Sequence, residues 1–255
     1  MKIQDLKVVV TGAASGMGRH FALGLAAEGA QVAACDTNED ELETLESASQ
    51  DSAGRVRTYH VDVANEESVC SFFEHAWTDF GGLNALINNA GIFRDGLLVK
   101  KDRSTGEIKK MSLKKWQQVI DVDLTGPFLC AREFAARIVE HDSGPGVIVN
   151  LSSVSRHGNH GQSNYSAAKA GLVADTETWA KELARHGIRV GAIAPGFVDT
   201  PILQGMRPEV LADMVKAVPL RRVASCDEIL AGVRFIIECD YFTGRCVDID
   251  GGMRV

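Results

Sequence analysis

The chain lacks the features of a nucleic-acid-binding or membrane protein. Its 34 acidic residues outnumber its 27 lysines and arginines, which gives a net charge of −7, and it has no block of basic residues. A nucleic-acid partner is therefore not expected. The longest apolar runs, such as residues 187–194, are too short to cross a bilayer, and the N-terminus has no signal-peptide-like apolar stretch. These absences predict a cytoplasmic protein that does not bind membranes.

Paired-cysteine spacings and interdomain linkers are also missing. The six cysteines form no Cys-x-x-Cys pair and stand mostly in apolar segments, so we expect reduced thiols, with neither a disulfide framework nor a metal site. No proline- or serine-rich stretch divides the 255 residues. The chain is therefore predicted to form a single domain over residues 1–255.

Short apolar runs rich in β-branched residues alternate with longer segments of helical period. The predicted strands are residues 7–11, 31–35, 56–61, 85–88, 147–151, 189–193 and 246–249. The predicted helices are residues 17–28, 39–50, 66–80, 113–140, 164–186 and 226–238. Strands without polar alternation belong to a parallel sheet covered on both faces. This pattern predicts an α/β, doubly wound Rossmann domain whose ligands bind at the carboxyl ends of the strands.

One segment interrupts that alternation. Residues 97–112 contain two lysine-bearing arms around a Ser-Thr-Gly turn, which predicts a solvated β-hairpin inserted before the fourth helix. A charged flap over a substrate entrance is the functional alternative for the same segment.

A glycine-rich turn follows the first predicted strand and opens the first helix. Glycines let the backbone approach a pyrophosphate closely, and a helix N-terminus offers it free N–H groups and partial positive charge. A structural turn could look similar, but the strand–turn–helix context favours nucleotide binding. The candidate phosphate-binding residues are Gly12, Ser15, Gly16, Met17 and Gly18.

Asp36 ends the second strand, 18 residues after Gly18. Its carboxylate can accept hydrogen bonds from the ribose hydroxyls of an adenosine and would repel a 2′-phosphate, while Ser15 and Thr37 are neutral. Asp36 therefore favours NAD over NADP as the cofactor. A role as a helix N-cap is compatible with the same carboxylate.

Tyr165 and Lys169 stand four residues apart on a predicted helix, so their side chains project from one face about one turn apart. An ammonium at that position favours the phenolate and lowers the pKa of the tyrosine, which makes it usable as a general acid or base. Taken alone, the pair also fits a surface helix with two amphipathic side chains.

Together with further motifs, these features resemble the short-chain dehydrogenase/reductase family over essentially the whole length. The resemblance is nearest to the 3-oxoacyl-carrier-protein-reductase-like branch. It implies a seven-stranded sheet of order 3-2-1-4-5-6-7 and a homo-oligomer, a tetramer or dimer. The motifs, in chain order, are Thr11-Gly12-x-x-x-Gly16-x-Gly18, Asp62-Val63, Asn88-Asn89-Ala90-Gly91, Ser152-Ser153, Tyr165-x-x-x-Lys169 and Pro195-Gly196.

The resemblance also implies roles for residues outside the glycine turn. Asp62 and Val63 would hold the adenine, and Lys169 would bind the nicotinamide ribose. Residues 200–220, which contain three prolines, would form a mobile substrate lid. The residues that line the middle of the cofactor would be Asn89, Ala90 and Gly91, and those that frame the nicotinamide would be Pro195, Gly196, Val198 and Thr200.

Two serines compete for the catalytic position. The family's serine usually stands 13 residues before the tyrosine, which selects Ser152. Register with the fifth strand selects Ser153, provided that the following loop is one residue short. We favour Ser153, because strand register is harder to shift than loop length. Ser152 would then be a neighbour on the cofactor side.

Asp123 stands where the family normally has an asparagine that holds a proton-relaying water. An ionised aspartate accepts hydrogen bonds but cannot donate one, and its charge could raise the pKa of Lys169 or Tyr165. We therefore place Asp123 with Ser153, Tyr165 and Lys169 in the catalytic set and expect an altered pH profile rather than loss of activity.

The leading interpretation is an NAD(H)-dependent oxidoreductase that interconverts a small-molecule secondary alcohol and a ketone. An alternative is a 3-oxoacyl thioester reductase whose acidic carrier protein meets the lysines of residues 97–112. A non-catalytic NAD-binding module would have no need of Ser153, Tyr165 and Lys169 together.

Two long helices carry broad apolar faces, which a dimer interface or the monomer core could explain. The residues concerned are Phe134, Ile138, Trp179 and Leu183.

Overall fold

The computed structural model describes residues 1–205 and 207–253, the side chains of Ile202 and Pro208 excepted. The strands are β1 Lys7–Thr11, β2 Gln31–Asp36, β3 Arg55–His60, β4 Ala85–Asn88, β5 Val99–Lys101, β6 Ile108–Lys110, β7 Gly146–Leu151, β8 Ile188–Pro195 and β9 Arg245–Ile249. The helices are α1 Gly16–Ala27, α2 Glu39–Ala48, α3 Glu66–Phe80, α4 Leu113–Ile120, α5 Gly126–His141, α6 Ser163–Leu183, α7 Pro201–Gln204, α8 Pro208–Ala217 and α9 Cys226–Glu238.

Seven strands form one parallel sheet in the order β3-β2-β1-β4-β7-β8-β9. Because β5 and β6 pair with each other outside this sheet, the order is the predicted 3-2-1-4-5-6-7. Strands β1 to β3 extend the sheet in one direction and β4 begins the other half on the opposite side of β1. Ligands of such sheets bind at this switch point, in the crevice at the carboxyl ends of β1 and β4. The doubly wound Rossmann fold is confirmed.

Apolar side chains on both faces hold the sheet between its helices. One core gathers around Phe21 and Leu25 of α1, and the other contains Phe73 of α3. Phe134 and Ile138 of α5 belong to this second core, with 0% and 2% of their surfaces exposed. Of the two explanations for these apolar residues, the monomer core is therefore correct for Phe134 and Ile138 and the dimer interface is wrong, because that face of α5 packs on the sheet. Trp179 and Leu183 are partly buried against the same core.

The predicted helix over residues 113–140 is interrupted. A π-helical turn at Asp121–Thr125 separates α4 from α5. This wider turn adds a residue to the helical path and turns Asp123 inward, where it is fully buried. π-Helical turns occur mostly at functional sites.

Residues 200–220 also differ from expectation. Pro201, Pro208 and Pro219 predict a helix-breaking segment, yet Pro201 and Pro208 stand at the starts of α7 and α8. Proline suits the first helical turn, because the N–H groups there have no intrahelical partner. Met206, which falls within the predicted lid, lies outside the described residues.

The segment 97–112 contains an antiparallel hairpin formed by β5 and β6, with Lys100 directly opposite Lys109. All six residues of its two strands are exposed. All six cysteines of the chain are free. Within residues 1–205 and 207–253, no helix is long and apolar enough to span a bilayer, and no three metal-ligating side chains cluster.

Candidate active site

The turn between β1 and α1 has a backbone that glycine permits. Gly12 and Gly16 adopt φ values of +67° and +54°, the left-handed region that disfavours other residues. A Cβ on Gly18 would lie 2.1 Å from the carbonyl oxygen of Gly12. Ser15 is the N-cap of α1 with no side-chain cap hydrogen bond, and Met17 follows in the first helical turn. The backbone N–H groups of this turn can therefore receive a diphosphate.

Side chains from β1 and the loop after β4 brace this turn. The Thr11 hydroxyl accepts hydrogen bonds from the N–H groups of Asn89 and Ala90, each at 3.0 Å. The Asn89 amide donates to the carbonyl oxygens of Thr11 and Gly12 at 3.0 and 3.1 Å. Asn89 and Ala90 therefore lie directly beside the turn, and Asn89 has a bracing role. The sequence motif did not reveal the part played by Thr11.

Acidic side chains lie at the ends of the two neighbouring strands. The Asp36 carboxylate at the end of β2 accepts hydrogen bonds from the N–H groups of Ala14 and Thr37 at 3.0 and 2.7 Å. Asp62, which follows β3, is exposed and accepts one from Ala64 at 2.9 Å. Each carboxylate retains lone pairs for hydroxyl or amino donors. Val63 beside Asp62 is buried.

The segment after β8 lies close to the glycine turn. Gly196 donates its N–H to Ile249 at 3.0 Å, and a Cβ there would lie 2.9 Å from the Asp250 Cα. Pro195 ends β8 and Val198 is buried. The Thr200 side chain lies 3.7 Å from the position of a Cβ on Gly16, so the start of the predicted lid is next to the phosphate-binding turn.

The two serines after β7 face different partners. The Ser152 hydroxyl is buried and donates to the Lys169 carbonyl at 2.9 Å. The Ser153 hydroxyl accepts a hydrogen bond from the N–H of Ser155 at 3.1 Å and lies close enough to the Tyr165 phenol to lower its pKa. The structure therefore brings Ser153, and not Ser152, to the phenol.

Tyr165 and Lys169 lie on one face of α6, as their spacing predicted. Tyr165 is 8% exposed and Lys169 is 3% exposed. The ammonium lies 5.4 Å from the centroid of the phenol ring and donates a hydrogen bond to the Leu151 carbonyl at 3.0 Å. The interpretation of the pair as an exposed, amphipathic surface pair is wrong, because both side chains are buried.

Asp123 completes a buried charged cluster. Its Oδ2 atom lies 3.2 Å from the Lys169 Nζ atom, at an angle outside hydrogen-bond geometry. Its Oδ1 atom accepts the N–H of Ile92 at 2.9 Å. A Cβ on Gly91 would lie 2.8 Å from Asp123 Oδ2, so a glycine is required beside the carboxylate. The π-helical turn thus delivers a carboxylate directly to the lysine.

Burial and charge set the titration of this cluster. Burial raises the pKa of Tyr165; Lys169 lowers it and Asp123 raises it, and the net direction is upward. The expectation of a lowered phenol pKa is therefore wrong, because burial outweighs the ammonium. Burial lowers the pKa of Lys169, but the negative charges of Asp123 and Tyr165 prevail and raise it. For Asp123, burial raises the pKa and outweighs the opposing effect of the Lys169 ammonium.

Three further residues at the site were not singled out from the sequence. Asn164 is fully buried, and its amide donates to the carbonyl oxygens of Arg94 and Lys115 at 3.2 and 3.1 Å. The Gln162 amide donates to the Asp95 carboxylate at 3.1 Å. The Phe93 ring lies 4.6 Å from the Tyr165 ring, centroid to centroid. Of these residues, Phe93 alone had a signal in the sequence, because it follows closely after the Asn88–Gly91 motif.

Comparisons with known proteins agree with this geometry. A family model described as enoyl-(acyl carrier protein) reductase matches residues 12–254. A 3-oxoacyl-[acyl-carrier-protein] reductase of Thermotoga maritima is 36% identical over 99% of both chains. A (3R)-3-hydroxyacyl-CoA dehydrogenase of Mus musculus is 36% identical over 99% of this chain and 98% of its own.

A crystal structure of levodione reductase superposes with a TM-score of 0.83 at 31% identity, covering 96% of each chain. The span matched by the family model, residues 12–254, extends over the glycine turn, the serines and the Tyr165–Lys169 pair. The chain therefore belongs to the short-chain dehydrogenase/reductase family, oxidoreductases that interconvert alcohols and ketones with a nicotinamide cofactor.

Proposed function

We propose that the protein is an NAD(H)-dependent oxidoreductase that interconverts a secondary alcohol and a ketone, with Tyr165 as the general acid or base. The observation that supports this most is the buried cluster of Asp123, Lys169 and Tyr165, with the Ser153 hydroxyl beside the phenol. A titratable phenol that shares a buried site with two charged groups is more typical of catalysis than of stability.

In the direction of ketone reduction, the bound cofactor supplies a hydride to the carbonyl carbon. Tyr165 donates its phenolic proton to the carbonyl oxygen, and in alcohol oxidation it accepts that proton back. The Ser153 hydroxyl donates a hydrogen bond to the oxygen as negative charge develops there. The Lys169 ammonium stabilises the phenolate that remains after proton transfer.

Asp123 keeps Lys169 charged in this scheme. A buried ammonium loses its proton readily when it is unpaired, and Asp123 Oδ2 lies 3.2 Å from it. The carboxylate therefore favours a positive Lys169 over the working pH range. The same negative charge raises the pKa of Tyr165, which favours the protonated phenol that ketone reduction needs.

Four groups of residues would hold the cofactor. The glycine turn would bind the diphosphate through Gly12 and residues 15–18, and Asp36 would bind the adenosine ribose. Asp62 and Val63 would contact the adenine. Those nearer the nicotinamide would be Asn89, Ala90, Gly91, Tyr165, Lys169, Pro195, Gly196, Val198 and Thr200.

The preference for NAD rests on charge. Asp36 places a carboxylate where NADP would carry its 2′-phosphate. Arg19 of α1 is the cation that could offset this, but it donates to the Glu41 carbonyl and the Thr44 hydroxyl at 3.1 and 3.0 Å. An Asp36→Ala variant should therefore gain affinity for NADPH relative to NADH by about 10-fold or more.

The first experiment titrates the protein with NADH and NADPH and then assays a panel of ketones and alcohols with wild type and Tyr165→Phe. We expect tight NADH binding and loss of turnover in the variant, with NADH binding retained. Tighter NADPH binding would contradict the assignment of Asp36. NADH binding without turnover of any substrate would instead support a non-catalytic module.

A second candidate function is reduction of a 3-oxoacyl thioester on an acidic carrier protein. The hairpin favours it, because its two exposed strands carry four lysines. Lys109 lies 3.4 Å from Asp102 and 3.7 Å from Glu107, whereas Lys100 directly opposite it is placed to meet an anionic partner. A carrier-linked substrate should then be turned over with a strong salt dependence. Lys100→Glu should weaken that turnover and leave a free ketone unaffected.

We further propose a cytoplasmic homo-oligomer, a dimer or tetramer. Free thiols suit a reducing compartment. Phe128 and Val139 of α5 leave 43% and 44% of their surfaces exposed, and a second copy could cover them. Light scattering at micromolar concentration tests this, and a monomer would contradict it.

A further inference from the structure

Phe93 is an exposed aromatic residue beside the buried phenol. Its ring lies 4.6 Å from that of Tyr165, tilted by 39°. Phe93 leaves 40% of its surface exposed, whereas Tyr165 leaves 8%. The approach to the phenol therefore passes an uncovered apolar ring.

The backbone on both sides of Phe93 is fixed. The N–H of Ile92 donates to Asp123 at 2.9 Å, and the Arg94 carbonyl accepts the Asn164 amide at 3.2 Å. Both anchoring side chains are fully buried. The ring is thus held in position, and a fixed apolar surface at the mouth of a site suits a ligand that covers it.

A negative charge lies just beyond this ring. Both oxygens of the Asp95 carboxylate accept from the Gln162 side-chain amide, at 3.3 and 3.1 Å, which holds the carboxylate in place. It is close enough to Tyr165 to raise the pKa of the phenol. A carboxylate or phosphate next to the reacting carbonyl would be repelled there.

We propose that Phe93 is a specificity-determining residue that forms one wall of the substrate pocket. The substrate is then a ketone, or the corresponding alcohol, with an uncharged flat aryl group next to the reacting carbon. This inference rests on the proposed role of Tyr165. Aromatic rings in contact prefer tilted or offset arrangements, so an aryl group packs on Phe93 better than a saturated group of similar size.

The test measures kcat/KM with NADH for acetophenone, 1-cyclohexylethanone and acetone, in wild type, Phe93→Ala and Phe93→Leu. Acetophenone should be preferred to 1-cyclohexylethanone in wild type. Phe93→Ala should lower kcat/KM for acetophenone by about 10- to 100-fold and that for acetone by less than about 3-fold, because acetone has no group that reaches the ring. Phe93→Leu keeps apolar bulk and should lose the preference for the aryl ketone.

Phe235→Ala is the matched control. Phe235 is 47% exposed and packs edge-to-face on Phe242, with 5.2 Å between the ring centroids, but it lies on α9. This variant should change none of the three values. An equal loss for acetone and acetophenone in Phe93→Ala, or a wild type that reduces no aryl ketone, would overturn the inference.

Tyr165→Phe separates this inference from the proposed function. If it abolishes turnover of every ketone while Phe93→Ala shows no dependence on substrate size, the catalytic role stands and the pocket wall is wrong. If Tyr165→Phe retains turnover, the proposed function fails, and the inference fails with it.

Discussion

Replacing Asp123 with asparagine tests the buried charged cluster with little change of shape. In the wild type the N–H of Ile92 donates to Asp123 Oδ1 at 2.9 Å, and asparagine keeps an oxygen that can accept this hydrogen bond. It removes the negative charge that lies 3.2 Å from the Lys169 Nζ atom. The variant therefore isolates the charge of residue 123 from its bracing role.

The structure gives the sign and scale of the effect. Asp123 raises the pKa of both Lys169 and Tyr165, so its neutralisation lowers both. A charge within about 4–6 Å shifts a pKa by about 1–3 units. The two groups titrate as a coupled pair, and we expect the apparent pKa of that pair to fall by about 1 unit or more in Asp123→Asn.

The assay is the pH dependence of kcat/KM in both directions. Ketone reduction needs a protonated Tyr165, so its rate falls as the pH rises through the pKa, and this falling limb should move to lower pH. Alcohol oxidation needs the phenolate, so its rising limb should move to lower pH as well. A variant in which neither limb moves would refute the reasoning.

Asp121→Asn provides the control for that experiment. Asp121 belongs to the same π-helical turn and accepts a hydrogen bond from Gln117 at 2.6 Å, so the variant loses the same charge from the same segment. It should leave both limbs in place. Equal shifts of the pH limbs in Asp121→Asn and Asp123→Asn would show that the effect of Asp123 does not depend on its direct contact with Lys169.

Three other experiments test the site and the scaffold. Ser153→Ala should lower kcat by about 100-fold, because it removes a hydrogen-bond donor to the developing alkoxide. Ser152→Ala should lower the free energy of unfolding, measured by urea denaturation, by about 1 kcal/mol with a smaller loss of kcat. The reverse pattern would assign the catalytic role to Ser152. Gly18→Ala should abolish NADH binding, because its Cβ would lie 2.1 Å from a backbone oxygen of the turn, while Gly24→Ala meets only a flexible leucine side chain and should bind normally in the same titration. The hydrogen bond from Arg222 lowers the pKa of Glu228 from 4.5 to about 2. The ionised carboxylate therefore stabilises the fold above pH 4.5, and that stabilisation is lost as the pH falls toward 2. Glu228→Gln should lower Tm at pH 7 and not at pH 2, and equal decreases at both pH values would contradict this.

The parallel sheet followed from local patterns in the sequence, whereas the order of its strands was implied by the family resemblance. Central strands such as β7 are buried on both faces and contain a run of consecutive apolar residues, 147–149, which is typical of a parallel sheet. The glycine turn and Tyr165–Lys169 also depend on local spacing. Each of these features needs only a few neighbouring residues to define its geometry, so each could be predicted from the sequence.

Features that depend on tertiary packing could not be predicted in the same way. The helical period of residues 113–140 contains no sign of the π-helical turn, because its extra residue stays inside a continuous helical path. The net rise in the pKa of Tyr165 comes from burial, which spacing on α6 does not report. The family spacing selected Ser152, whereas strand register favoured Ser153, and it is the Ser153 hydroxyl that lies close enough to the phenol to lower its pKa.

The short segment after β4 connects the two sides of the site. Asp123 holds it at Ile92 and Asn164 holds it at Arg94, and Phe93 lies between these anchors. One carboxylate therefore contacts the lysine that we propose to support proton transfer and also fixes the backbone that carries the proposed aromatic wall. A substitution at residue 123 that keeps the hydrogen-bond acceptor changes only the charge felt by Tyr165. One that removes the acceptor also frees the backbone beside Phe93, so proton transfer and substrate selection would change together.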